Sequence, residues 1–320
     1  MVAAAAAVLA LIAGAVVVQQ AVSAKVDLSG MNTEASERLM AAAAKIVVPG
    51  PTPGPGQYSY VMRKERQISV QQSKDYKRVM PPMMTTPPPG TYVTPEPGDI
   101  STSTTTRLLH EIETWAPARR DDVWRKTLTT RRAVYRSSGP EKPYGPPESE
   151  HRLGRCGDFG EPEYVCKTDV NTKQEWDRPT SEFLATVPRD PEQMLTLLRQ
   201  RGYPDAPVGP DVDTLDYIAW ILKQPKIPAD IRRTLLGAVA LMPNLRVVDN
   251  VSDESGRIGT AFGLETMYAW QDFIIDEKTG AFLGTQVTTK VAGSESGKAG
   301  TVVERDSFQE VVVDRLGQRP

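Results

Sequence analysis

Few side chains in this chain are spaced for chemistry. Cys156 and Cys166 are its two cysteines, and Gly157, Gly160 and Pro162 between them permit a tight reversal. Outside the cytoplasm such a pair is expected to close a disulfide, and by the loop-entropy model so short a loop adds roughly 2.5–3 kcal/mol. A metal site with His151 as a third ligand competes with that reading, and free thiols are the remaining alternative. With only His110 and His151 as histidines and no Cys-x-x-Cys spacing, metal is the weaker of these. Acid pairs stand at Glu111/Glu113 and at Asp253/Glu254. General acid–base work would need two such carboxylates held in different environments, whereas neighbouring acids on a polar surface are more commonly solvated. No Gly-x-Ser-x-Gly, His-Glu-x-x-His, Walker or dinucleotide glycine pattern accompanies them. The expectation is therefore a binding protein, not an enzyme, with no catalytic residue, metal or cofactor.

Composition narrows the partners. Lys and Arg number 38 against 40 Asp and Glu, for a net charge of −2, so no polycationic surface is available for nucleic acid. The greasiest stretch is N-terminal: residues 2–24 carry no charged side chain and are mostly Ala, Val, Leu and Ile. As a helix this run is about 34 Å long, against a hydrocarbon core of roughly 30 Å. It reads as a transmembrane anchor that crosses the cell membrane once. The cysteine pair places the remainder outside the cytoplasm. Ala21-Val22-Ser23-Ala24 offers the small residues a signal peptidase accepts, but the run exceeds a usual h-region and no positive segment precedes it, so an uncleaved anchor is preferred. The bare Met-Val start suggests an upstream segment beyond the sequence.

The elements that must position any site follow. Residues 32–48 read as a stalk helix with Asn32 or Thr33 as cap, and a Pro/Gly linker over residues 25–56 includes and ends that stalk. Residues 57–320 read as one extracytoplasmic α+β domain. Tyr58, Tyr60 and Met62 alternate as a strand; residues 67–98 are a polar, Pro-rich insertion; residues 102–116 and 121–136 form strands turning near residues 116–122. A disulfide loop is expected at residues 150–170, helices at 190–242, and a β-meander at 245–315 with Gly256 and Gly280 in its turns. The predicted fold is a curved, half-barrel-like antiparallel sheet covered by a helical insertion. A basic run, Arg119, Arg120, Arg125, Lys126, Arg131, Arg132 and Arg136, reads first as the solvated face of a sheet and otherwise as a dock for an anionic lipid head group or an acidic partner.

The terminal string Val312-Val313-Asp314-Arg315-Leu316-Gly317-Gln318-Arg319-Pro320, with Pro188-Arg189-Asp190-Pro191, Arg246-Val247-Val248-Asp249, residues 253–259 and residues 273–284, resembles an actinobacterial family of uncharacterised membrane-anchored proteins often encoded beside extracytoplasmic-function sigma factors. The resemblance implies a sensory or regulatory ectodomain in envelope signalling and supplies no catalytic residues. By layout the chain is also similar to half-barrel lipoprotein carriers and sigma-factor regulators, a likeness of fold alone. The expected function is binding of an acyl chain, an apolar peptide or an envelope regulatory protein. A cleft lined by Tyr58, Tyr60, Trp115, Trp124, Trp270 and Phe273 is the candidate site, each of these being readable as plain core instead. A lipid or lipoprotein carrier and a structural envelope scaffold are the alternatives.

Overall fold

The computed structural model describes residues 32–48, 52–71, 103–159, 176, 179–201, 209–291 and 298–320. The expected anchor at residues 2–24, residues 72–98 of the Pro-rich insertion and Cys166 lie outside the described residues, whereas residues 67–71, expected within that insertion, continue the first strand. Among the described residues no helix is long and apolar enough to cross a membrane.

Nine strands form one large, open, curved antiparallel sheet. They are β1 (Tyr58–Gln71), β2 (Thr104–Pro117), β3 (Val123–Arg136), β4 (Glu148–Arg155), β5 (Arg246–Ser252), β6 (Ile258–Glu265), β7 (Ala269–Asp276), β8 (Ala281–Thr289) and β9 (Val302–Val313). Their spatial order is β4-β3-β2-β1-β9-β8-β7-β6-β5. Two meanders are thus joined where β9 returns beside β1, from Tyr58↔Val313 to Gln67↔Glu304. The α+β class and antiparallel sheet match the expectation. Residues 150–155, expected within the disulfide loop, instead belong to edge strand β4, which extends the sheet.

Between the meanders the chain forms helices α2 (Ser181–Thr186), α3 (Pro191–Arg201), α4 (Pro210–Leu222) and α5 (Ala229–Ala240), while α1 (Thr33–Ala44) precedes β1. Local rules account for their starts. The side chains of Asn32 and Thr180 accept from the backbone N–H groups of Ala35 (3.3 Å) and Phe183 (3.0 Å). Pro191 and Pro210 open α3 and α4, where a missing N–H costs nothing. The apolar faces of α1, α3, α4 and α5 meet Phe262, Leu264, Phe273, Ile275, Phe282 and Phe308 in one core. Complete burial of each such side chain is worth about 1.5–3 kcal/mol.

Helix α1 is docked firmly onto this layer. Arg38 forks onto Glu277 (2.9 and 2.7 Å) and also reaches Asp249 (2.5 Å), on two different loops and strands. The β7–β8 turn lies against it so closely that a Cβ on Gly280 (φ +74°) would sit 2.3 Å from Ala42 O. Glycine is required there on both counts.

The face of the sheet away from the helices is built differently. Arg246 forks onto the fully buried carboxylate of Asp272 (2.8 and 2.6 Å), which also accepts from Gln286 Nε2 (3.1 Å). Gly263 makes room for this pair, since a Cβ there would lie 1.9 Å from Asp272 Oδ1. Farther along, the C-terminal residues fold back over β2. Trp115 Nε1 donates to Gln318 O (2.7 Å) and Arg319 forks onto buried Glu113 (2.6 and 2.6 Å).

Candidate ligand cleft

A cleft of about 580 Å³ opens between the helix layer and the sheet, within the roughly 300–1,000 Å³ range of small-molecule sites. Its apolar wall comes from Ile46, Val47 and Val48 after α1, from Leu222, Ile227 and Leu236 around α4 and α5, and from Phe282 and Phe308 on the sheet. Geometry of the α4–α5 connection creates it. Pro225 and Pro228 flank Lys226, whose backbone is left-handed (φ +64°), so the chain turns sharply between the helices instead of filling the space. The linker is held open on the other side by Arg233, which donates to Ile46 O (2.5 Å).

One end of the cleft is polar. Glu310 of β9 accepts from Ser59 Oγ, from the Lys226 backbone N–H (2.8 Å) and from Arg232 Nη2 (2.5 Å). Arg232 also donates to Leu222 O (2.8 Å) and Ile227 O (3.1 Å), tying the end of α4 to the start of α5. Lys226 Nζ donates to Pro117 O (2.9 Å) and Ala118 O (3.0 Å) and lies 5.9 Å from the Trp124 ring. Burial pushes its ammonium below the ordinary lysine range, Arg120 adds to this, and Glu310 opposes it.

A second, more polar cleft of about 400 Å³ lies where α4 crosses β1, β9, β8 and β7. There Lys223 bonds Asp306 and Thr285. Asp216 touches solvent at this cleft yet is hemmed in by protein. This desolvation raises its carboxyl to about 6, against the pull of Lys223 and a hydrogen bond from Gln271 and with the help of Asp213 and Glu304.

The six aromatic residues singled out from sequence are not gathered at the apolar cleft. Tyr60 and Trp115 pack together on the opposite face (centroids 5.1 Å apart) with Tyr58 and Val313. Trp124 Nε1 is bonded to Arg120 O (2.9 Å). Trp270 lies beneath Arg246 (4.2 Å) and Lys290 (5.4 Å). Phe273 is core beside Phe262 and meets only the second cleft. Each aromatic finds a partner that occupies its surroundings, which is why size and type alone did not locate the opening. The residues that do form it, Lys226, Arg232 and Glu310, carried one sequence signal: two prolines around a lysine between helical patterns.

The other candidates are also placed. Glu113 accepts from Tyr60 Oη (2.7 Å) as well as from Arg319, and Glu111 lies 3.7 Å from Lys64. Asp253 is buried against Arg257, and Glu254 pairs with Arg66 (2.8 Å). These carboxylates are therefore structural anchors, each with its own cation. His110 and His151 bond Thr130 (2.9 Å) and Thr127 (3.0 Å) from different strands. Among the described residues no group of three His, Cys, Asp or Glu could hold a metal. Cys156 is buried at the end of β4, and its expected partner lies outside the described residues. The basic run is divided by strand alternation: Arg125 and Arg131 fall on one face of β3, Lys126, Arg132 and Arg136 on the other.

Comparison with family models, with curated proteins and with solved structures finds no match.

Proposed function

We propose that this chain is a membrane-tethered binding module, half-barrel-like in plan, that holds an acyl chain or apolar peptide in the cleft between α5, the linker after α1 and strands β8 and β9. The observation that carries this reading is the cleft itself, about 580 Å³ and largely apolar in lining. Concave apolar space with a few polar groups at one end is the usual form of a small-molecule site. Its wall at residues 46–48 follows α1 and leads into β1, so an occupant would touch the chain at the end of α1 that is farther in sequence from the proposed anchor. A sensory role in envelope signalling, a location outside the cytoplasm and a Cys156–Cys166 bridge belong to the same proposal and rest on the sequence reading.

The test is native mass spectrometry of the full chain purified from its own membrane, followed by organic extraction. A co-purifying acyl species, lost from Ala281→Trp at the cleft wall, is the expected result. A wild-type chain that carries nothing and takes up no added alkyl ligand would overturn the reading.

A further inference from the structure

The occupant's head group can be read from the charges at the polar end of the cleft, an inference that rests on the function proposed above. Lys226 lines the cleft and its ammonium is directed to two backbone carbonyls. Among the described residues no carboxylate stands within ion-pair distance of it, because Glu310 is occupied by Arg232, Ser59 and the Lys226 backbone. A buried cation is ordinarily paired, since desolvation otherwise disfavours its charge. A second cation belongs to the same corner of the fold: Arg120 follows the cleft-lining Ala118 by two residues, and its carbonyl accepts from Trp124 Nε1, whose ring lies 5.9 Å from Lys226 Nζ. The Nε–H of Arg120 is buried with no hydrogen-bond partner. Lys226 thus stands at the polar end of an apolar cleft with no carboxylate on its ammonium, and the buried, unsatisfied Nε–H of Arg120 belongs to the chain just beyond the carbonyls that hold it.

We propose that the cleft binds a single-chain amphiphile with an anionic head group, the head held at the Lys226–Arg120 corner and the tail along Ile227, Phe282 and Phe308. Such an anion would relieve the repulsion between the cations, supply the missing acceptor and favour the protonated form of Lys226.

Decanoate and decanol share a tail and differ in the head. Equilibrium dialysis of each, labelled, against the full chain in one detergent, with empty micelles subtracted, separates the two proposals. The expected result is decanoate bound about tenfold or more tightly than decanol, a difference of about 1.4 kcal/mol per factor of ten. Lys226→Met and Arg120→Gln are expected to shrink the ratio of decanoate to decanol binding, whatever they do to the decanol affinity itself, and unaltered thermal unfolding shows that each variant is folded. Equal binding of the two ligands by the wild-type chain overturns the head-group inference and leaves the cleft standing. Binding of neither overturns both. The comparison of two ligands on the wild-type chain needs no variant to fold.

Discussion

Adjacent residues Asp272 and Phe273 are both buried, at 3% and 1% exposed, yet on opposite faces of the same strand they are buried by different physics. Phe273 faces the helices and is packed by Phe262 and the apolar stripes of α1, α4 and α5. Asp272 faces away and is held by a forked arginine and an amide. The helix-bearing face gains stability chiefly by removing apolar area from water, and the other face combines two small apolar clusters with charges satisfied by arginines, turns and the C-terminal tail. An apolar wall that is not everywhere filled leaves a cleft, whereas the Arg246–Asp272–Gln286 cluster fills its own surroundings with matched groups. The contrast explains why the cleft lies on the helix side, and why Trp115 and Tyr60, on the other, are sealed in by residues 316–319.

The largest expected effect comes from the apolar face. Phe273→Ala should lower the unfolding free energy by about 3–5 kcal/mol, read from denaturant melts, because a large cavity opens in a closely packed core. On the opposite face Asp272→Ala should cost about 3 kcal/mol, since it leaves Arg246 partly buried without its partner. Replacing both, Asp272→Leu with Arg246→Met, should recover most of that loss. If the double replacement is no better than the single one, the pair matters for more than charge balance, and the contrast between the faces is too simple.

Arg319→Ala is a smaller test, worth about 1 kcal/mol because the arginine is mostly open to solvent while Glu113 is not. Burial alone would raise the Glu113 carboxyl, but Arg319, Tyr60 and Arg125 together hold it below its ordinary value. A carboxyl depressed by folding stabilises above its unfolded pKa, about 4.3. The difference between wild type and variant should therefore be full at neutral pH and vanish as pH falls from about 4.3 through the lower folded value. Asp216 gives the smallest effect and the opposite sign. Its carboxyl is raised to about 6, so its contribution is present below the unfolded value, near 3.9, and lost as pH rises through about 6. Asp216→Asn should flatten the stability profile across that window, by an amount reduced by solvent at the cleft.

These contrasts also mark what could be read from the residues alone. The meander β5–β9 was legible because alternation in Phe262–Leu264 and Phe273–Ile275 is broken by explicit turns at Gly256 and Gly280. Helices α4 and α5 were legible from their apolar stripes and their prolines. The pairing of β9 with β1 was not, since residues 58 and 313 share no local signal and meet only through the completed sheet. Nor were the roles of Asp272, Glu113 and Asp253: a charged residue in a strand reads as solvent-facing, and only its partner, far along the chain or across a turn, makes it interior. A cleft does lie between sheet and helices, and the six aromatics proposed from sequence are not among the residues that line it. An opening forms where the chain turns away, as at Lys226, and bulky rings tend to close one.

Hydrogen exchange on the full chain, with and without saturating decanoate, tests the central claim most directly. The account predicts slowed exchange at residues 46–48, 226–230 and 308–312, around the cleft, with the β1–β2 region near Tyr60 and Trp115 unchanged. Protection confined to Tyr60, Trp115 and the C-terminal tail, or no change anywhere, would contradict it.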